Sequence, residues 1–68
     1  MTTSVTVNGA PWQAPARTTF ADLVREWCQS PRGVAVARNG EVVPKSTWDR
    51  AVVHEGDRIE IVTAAAGG

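Results

Sequence analysis

Apolar and polar residues alternate through Ser4-Val5-Thr6-Val7, which predicts a half-buried strand near the start of the chain. Asn8-Gly9 follows and predicts a tight hairpin turn, because both central positions of such a turn favour residues that tolerate positive φ. The return strand is expected around Trp12 to Ala14, with Pro11 and Pro15 confining it to a sheet edge or limiting its length. The period then changes. Phe20, Leu23, Val24, Trp27 and Cys28 fall at i, i+3, i+4, i+7 and i+8, the apolar stripe of an amphipathic helix. Its wet side carries Asp22, Arg25 and Glu26. Thr19 stands where an N-cap belongs, Asp22 takes the capping-box position, and Pro31 and Gly33 are expected to stop the helix.

Alternation resumes in Gly33 to Arg38, a predicted strand that turns at Asn39-Gly40 into Glu41-Val42-Val43 and ends at Pro44. Lys45 to Arg50 reads as an irregular or single-turn helical stretch, and Glu55-Gly56-Asp57 as another turn. Arg58 to Val62 has the cleanest alternation, with Ile59 and Ile61 inward and Arg58 and Glu60 outward. The order is hairpin, helix, hairpin, irregular crossover, last strand. It predicts an α+β fold, a mixed sheet of four to five strands packed on one main helix. The first and last strands alternate best, so burial favours placing them side by side in the middle of the sheet.

Composition narrows the possibilities. Sixty-eight residues make one domain near the lower limit for a self-supporting core. The lone Cys28 cannot form an internal disulfide, and with His54 alone it cannot close a zinc site, so packing has to stabilise the fold. The 43% hydrophobic content and three tryptophans supply the material. Seven acidic and seven basic residues cancel, leaving no electrostatic footprint for nucleic acid or an anionic membrane. No apolar run approaches the ~20 residues of a membrane span. Met1-Thr2-Thr3 lacks the basic and apolar regions of a signal peptide, which makes a cytoplasmic location the expectation.

The chain ends in Ala64-Ala65-Ala66-Gly67-Gly68. On the residues alone two readings stand. The segment is a frayed terminus, or it is a tail slim enough to thread a narrow channel and present the Gly68 α-carboxylate as a reactive group. The expected organisation is therefore a domain over 1–63 and a tail over 64–68.

Two further stretches sharpen the picture. Arg38-Asn39-Gly40-Glu41-Val42-Val43-Pro44-Lys45-Ser46-Thr47-Trp48 combines an asparagine turn, a Val-Pro-basic segment and a tryptophan. Glu55-Gly56-Asp57-Arg58-Ile59-Glu60-Ile61 leads from an acidic-Gly-Asp turn into an Ile-containing strand, and Gly67-Gly68 closes the chain. In this order and over essentially the whole chain, these features resemble the ThiS family of thiamine-pathway sulfur carriers within the ubiquitin-like β-grasp superfamily. The chain departs from the family pattern at Lys45, where arginine is frequent, and at Ala64-Ala65-Ala66, where bulkier residues often precede the diglycine.

The resemblance implies a chemistry for the tail. A C-terminal carboxylate, with a pKa of about 3.3–3.7, is an anion at neutral pH and a poor electrophile. In the family it is converted to an acyl-adenylate and then to a thiocarboxylate, here on Gly68, whose sulfur is donated to thiazole formation. Gly67 and Ala66 would be the slim residues that let the tail enter its partners' sites. The implied partners are an adenylating (E1-like) enzyme using ATP and magnesium, a thiazole synthase, and a sulfur donor such as a cysteine desulfurase or rhodanese-like protein. The chain itself would bind no cofactor and hold no catalytic residue. The same tail is also consistent with another sulfur client: the molybdopterin synthase small subunit, or cysteine or tRNA thiolation. It is consistent as well with a ubiquitin-like binding or modifier module.

If the helix covers the face carrying Val5, Val7, Val34, Val36, Ile59 and Ile61, the opposite face shows Thr6, Ala35, Ala37, Arg58, Glu60 and Val62. Such a mixture suits a transient docking surface and equally an ordinary solvated sheet. Cys28 is expected to be a buried structural cysteine, His54 to lie in a surface loop, and Trp27 and Trp48 to sit in or at the edge of the core. Trp12, flanked by prolines, is expected to be partly exposed.

Overall fold

The computed structural model describes residues 1–30 and 32–63. The alternating segments become β1 (Thr2–Val7), β2 (Ala10–Pro15), β3 (Val34–Arg38), β4 (Glu41–Val42) and β5 (Arg58–Thr63). The amphipathic stripe becomes α1 (Phe20–Trp27), and a single 3-10 turn covers Lys45–Thr47. The strands form one mixed sheet in the order β2-β1-β5-β3-β4. β1 and β5 run parallel and adjacent in its middle, and every other pairing is antiparallel. This is the β-grasp arrangement expected from the order of elements.

The helix presses Phe20, Leu23 and Val24 onto Val5, Val7, Val36 and Ile59 of the inner sheet face, all of them buried. Removing each such side chain from water contributes about 1.5–3 kcal/mol, the substitute here for disulfides. The irregular crossover then holds the helix start. The first amides of a helix lack partners within it. Here Phe20 N donates to Ala51 O (2.9 Å) and Ala21 N to Trp48 O (3.1 Å). Asp22 N donates to Thr19 Oγ1 (3.1 Å) and Thr19 N to Asp22 Oδ2 (3.2 Å), which is the capping box. Trp48 itself plugs the core, 5% exposed, with Nε1 donating to Val43 O at 2.9 Å.

Several expectations need correcting. The helix ends at Trp27, ahead of Pro31 and Gly33, because Cys28 turns to an extended conformation while its N–H still caps Val24 O at 2.8 Å. Pro31 lies outside the described residues. Cys28 is therefore half-buried at the margin rather than buried. Trp27, on the last turn, reaches past the sheet edge and is 38% exposed. It stands edge-on to Trp12 with ring centroids 5.9 Å apart, which gives the half-buried Trp12 its packing partner. β2 is longer than expected, because as an edge strand it tolerates Pro11 and Pro15. β4 is shorter: Val43 leaves the strand to accept Trp48, although its N–H still reaches Val36 O at 2.8 Å.

The capping box has a pH signature. The Thr19 backbone N–H, then the Arg25 guanidinium, then the Thr19 hydroxyl hold the Asp22 carboxyl below its ordinary value of 3.8. A depressed folded-state pKa gives stabilisation that is complete above the unfolded value and lost as pH falls through the folded one. Asp22→Asn is therefore expected to be less stable than the native chain at neutral pH, with the gap closing as pH drops well below 3.8. Urea midpoints measured across that range check it; a gap that stays constant with pH contradicts it.

Candidate functional site

Gly67, Gly68 and Ala66, the residues the sequence nominates for tail chemistry, lie outside the described residues, as does the rest of 64–68. The described site is the strand from which they continue, β5, and what holds it. β5 is gripped at its start by the two Asn-Gly turns. At the end of β1, Asn8 N donates to Ile59 O (2.8 Å), while Asn8 Oδ1 accepts Ile61 N (2.8 Å). At the end of β3, Asn39 N donates to Arg58 O (2.8 Å), while Asn39 Oδ1 accepts Arg58 N (2.9 Å). Each carboxamide stands in for a main-chain carbonyl as the chain turns away. Both turns require positive φ, 53° and 50° at the asparagines and 84° and 87° at Gly9 and Gly40. Asparagine supplies the left-handed conformation and the acceptor together.

Beneath this clamp sits Asp57, the residue before β5 and 6% exposed. Its carboxylate accepts from Arg38 Nε (2.9 Å), Asn39 Nδ2 (3.2 Å) and the His54 N–H (2.8 Å). Its carbonyl accepts Thr6 N at 3.1 Å. Arg38 also donates to Val52 O, and its guanidinium lies 4.8 Å from the centre of the Phe20 ring. A buried ion pair is tolerable only when its remaining polar groups find partners. These do, and among the described residues no buried side-chain polar atom lacks one. Asp57 thus ties β1, β3, the crossover and the helix start to the root of β5. Sequence reading placed Asp57 and both asparagines in turns and missed this role; the repeated choice of Asn before Gly was the available signal.

The outer face assembles as the alternation predicts. Thr6 pairs with Arg58, Ala37 with Glu60 and Ala35 with Val62, so all six residues share the face away from the helix. Arg58, Glu60, Val62 and Ala35 are exposed, and Thr6 and Ala37 half-buried. Val42, absent from the sequence-based set, joins them by pairing with Ala37. Val42 and Val62 are 74% and 62% exposed, two of the most exposed large apolar side chains described. A shallow hollow of about 330 Å³ opens beside Gly9 and Gly40, floored by Thr6, Arg58, Ile59 and Glu60. His54 is exposed in its loop, as expected. Lys45 packs over the Trp48 ring at 5.9 Å. No helix among the described residues is long and apolar enough to cross a membrane.

Comparison with known proteins agrees with this geometry. The model of the ThiS family matches residues 5–68. The sulfur carrier protein ThiS of Escherichia coli is 33% identical over 61 residues, covering 90% of this chain and 92% of that protein. Thiazole synthases of Paramagnetospirillum magneticum and Magnetococcus marinus are each 40% identical over 62 residues, 91% of this chain. The chain spans only 19% of the length of those two synthases. In structure, the thiamine biosynthesis protein ThiS of Geobacter metallireducens superposes with a TM-score of 0.77 at 28% identity. That superposition covers 96% of this chain and 99% of the other.

The clamp is testable without any partner. Asp57→Ala strands the Arg38 guanidinium and is expected to cost about 3–5 kcal/mol, read from the urea midpoint. Asn8→Ala is expected to cost about 1 kcal/mol and to accelerate hydrogen exchange at the Ile61 amide while leaving Glu60 protected by β3. Equal exchange at Ile61 in both proteins contradicts the clamp.

Proposed function

Because the chain belongs to the ThiS family, we propose that it is a sulfur carrier for thiamine biosynthesis and that the Gly68 carboxylate is its acyl carrier. The observation that carries this reading is the extent of the family match, which runs through the tail to residue 68. The named sulfur carrier of E. coli, aligned along nearly its whole length, supports the class. The two thiazole synthases support the client: a segment like this chain occurs within them, which is the expected consequence of a carrier and a synthase that must meet.

The chemistry follows from the carboxylate. As an anion it resists attack, so it first attacks the α-phosphorus of ATP and expels pyrophosphate, giving an acyl-adenylate. A sulfide-level sulfur then adds to the acyl carbon and AMP departs, leaving a thiocarboxylate. The partner supplies ATP, magnesium and sulfur delivery. This chain contributes a tail slim at Ala66 and Gly67, where a Cβ branch would narrow the clearance. It also contributes a rooted strand that keeps the tail's origin fixed. The outer face, Ala35, Ala37, Arg58, Glu60 and Val62 with Val42 beside them, is the surface that meets the adenylating enzyme. Its few apolar side chains among small and charged ones suit a contact that forms and releases.

Wild-type chain is expected to stimulate ATP–pyrophosphate exchange by an E1-like adenylating enzyme. Gly67→Val and deletion of Gly68 are expected to abolish exchange with unchanged melting temperatures. Ala37→Glu is expected to weaken binding roughly tenfold by placing an unpaired charge in the contact. Full exchange by the Gly68 deletion removes the carboxylate from the mechanism.

A further inference from the structure

The sheet has three edges, and two are closed. β2 carries Pro11 and Pro15, and β4 is two residues long and soon followed by Pro44. Both are common guards against unwanted strand pairing. The third edge belongs to β5, which outruns its neighbour. β1 pairs with β5 only at Thr6–Arg58 and Val7–Ile59, whereas β3 follows β5 to Thr63.

Backbone groups alternate sides along a strand. Arg58 addresses Asn39 on the β3 side, so Glu60 and Val62 address β3 as well. Ile59 addresses the β1 side, and so do Ile61 and Thr63. The Ile61 N–H is taken by the Asn8 carboxamide, the last contact that hairpin makes along the edge. Among the described residues no strand pairs with β5 on that side beyond Ile59. The Ile61 carbonyl and the Thr63 N–H therefore face outward, and no proline interrupts residues 58–68. A Cβ at Gly9 would meet nothing within 4 Å, so the approach beside the hairpin is open.

Resting on the carrier reading above, the geometry points to strand addition at this edge: an extended segment of the enzyme that adenylates Gly68 pairs with Ile61 and Thr63. Reach supports that occupant. Residues 64–68 span at most about 17 Å when fully extended, so an enzyme holding the Gly68 carboxylate must come close to Thr63. Main-chain pairing at the root would align the tail without reading its side chains, which suits a tail built of alanine and glycine. A second copy of this chain is a poor occupant. Three residues of edge bury far less than the roughly 1,200 Å² of a stable interface.

The test uses the full chain and the same adenylating enzyme. In the free chain the Thr63 amide is expected to exchange rapidly and Val62 slowly; in the complex Thr63 becomes protected. Thr63→Pro removes that donor without touching the β3 ladder. It is expected to keep its melting temperature and bind roughly tenfold more weakly, while Thr63→Val binds normally. Pyrophosphate exchange stimulated by wild type, combined with a Thr63 amide that stays unprotected in the complex, overturns strand addition and leaves the carrier reading intact. Absence of stimulated exchange by wild type overturns the carrier reading itself. Protection of Thr63 that rises with chain concentration alone assigns the edge to self-association and also overturns the proposal. Should Thr63→Pro not fold, the amide measurement on the native chain decides.

Discussion

The fold turns on how one strand is held at its root. β5 enters the sheet between two Asn-Gly turns whose carboxamides continue the hydrogen-bond ladders on either side. Directly before it, the buried Asp57 carboxylate gathers Arg38, Asn39 and the His54 amide. These contacts come from residues distant in sequence, so they form only when both hairpins and the crossover are in place. The apolar core supplies the bulk stabilisation, but it is indifferent to where β5 begins. The polar clamp fixes that register, because a shift by one residue would leave two carboxamides and a buried carboxylate without partners.

Fixing the root of β5 matters because Gly67 and Gly68 lie just beyond its other end. A small domain that presents a terminal carboxylate needs its last strand anchored and its remaining surface recognisable. The central position of β5, with β1 and β3 on its two sides, provides the anchor. The outer face provides a mixed surface in which Val42 and Val62 stand out among small and charged neighbours. The Val43-Pro44-Lys45 to Trp48 stretch, which carries the family resemblance so clearly, does none of the tail's chemistry. It turns the chain so that Trp48 can plug the core and its carbonyl can receive the helix start.

Whatever depends on local periodicity was legible in the sequence. The helix with its Thr19–Asp22 box, the alternation of β5 and the central pairing of β1 with β5 all follow from patterns a few residues long. Trp27 and Cys28 deceived, since periodicity continues past the point where the backbone stops being helical. β4 deceived similarly, because Val43 keeps strand-like chemistry while turning to meet Trp48. Asp57, Asn8 and Asn39 read as turn formers, and they are; their second role joins segments about 20 to 50 residues apart, which no local pattern encodes. The tail's chemistry was legible only through family resemblance, since five small residues carry no reactive side chain.

The claim at the centre is that a single carboxylate does this protein's work. Fragment-resolved mass spectrometry of the wild-type chain, after incubation with an adenylating enzyme, ATP, magnesium and a sulfide source, tests it most directly. The account requires one oxygen exchanged for sulfur, located in the C-terminal fragment containing Gly68 and nowhere else. Sulfur found on Cys28, or a chain that leaves the reaction with its mass unchanged, would contradict it.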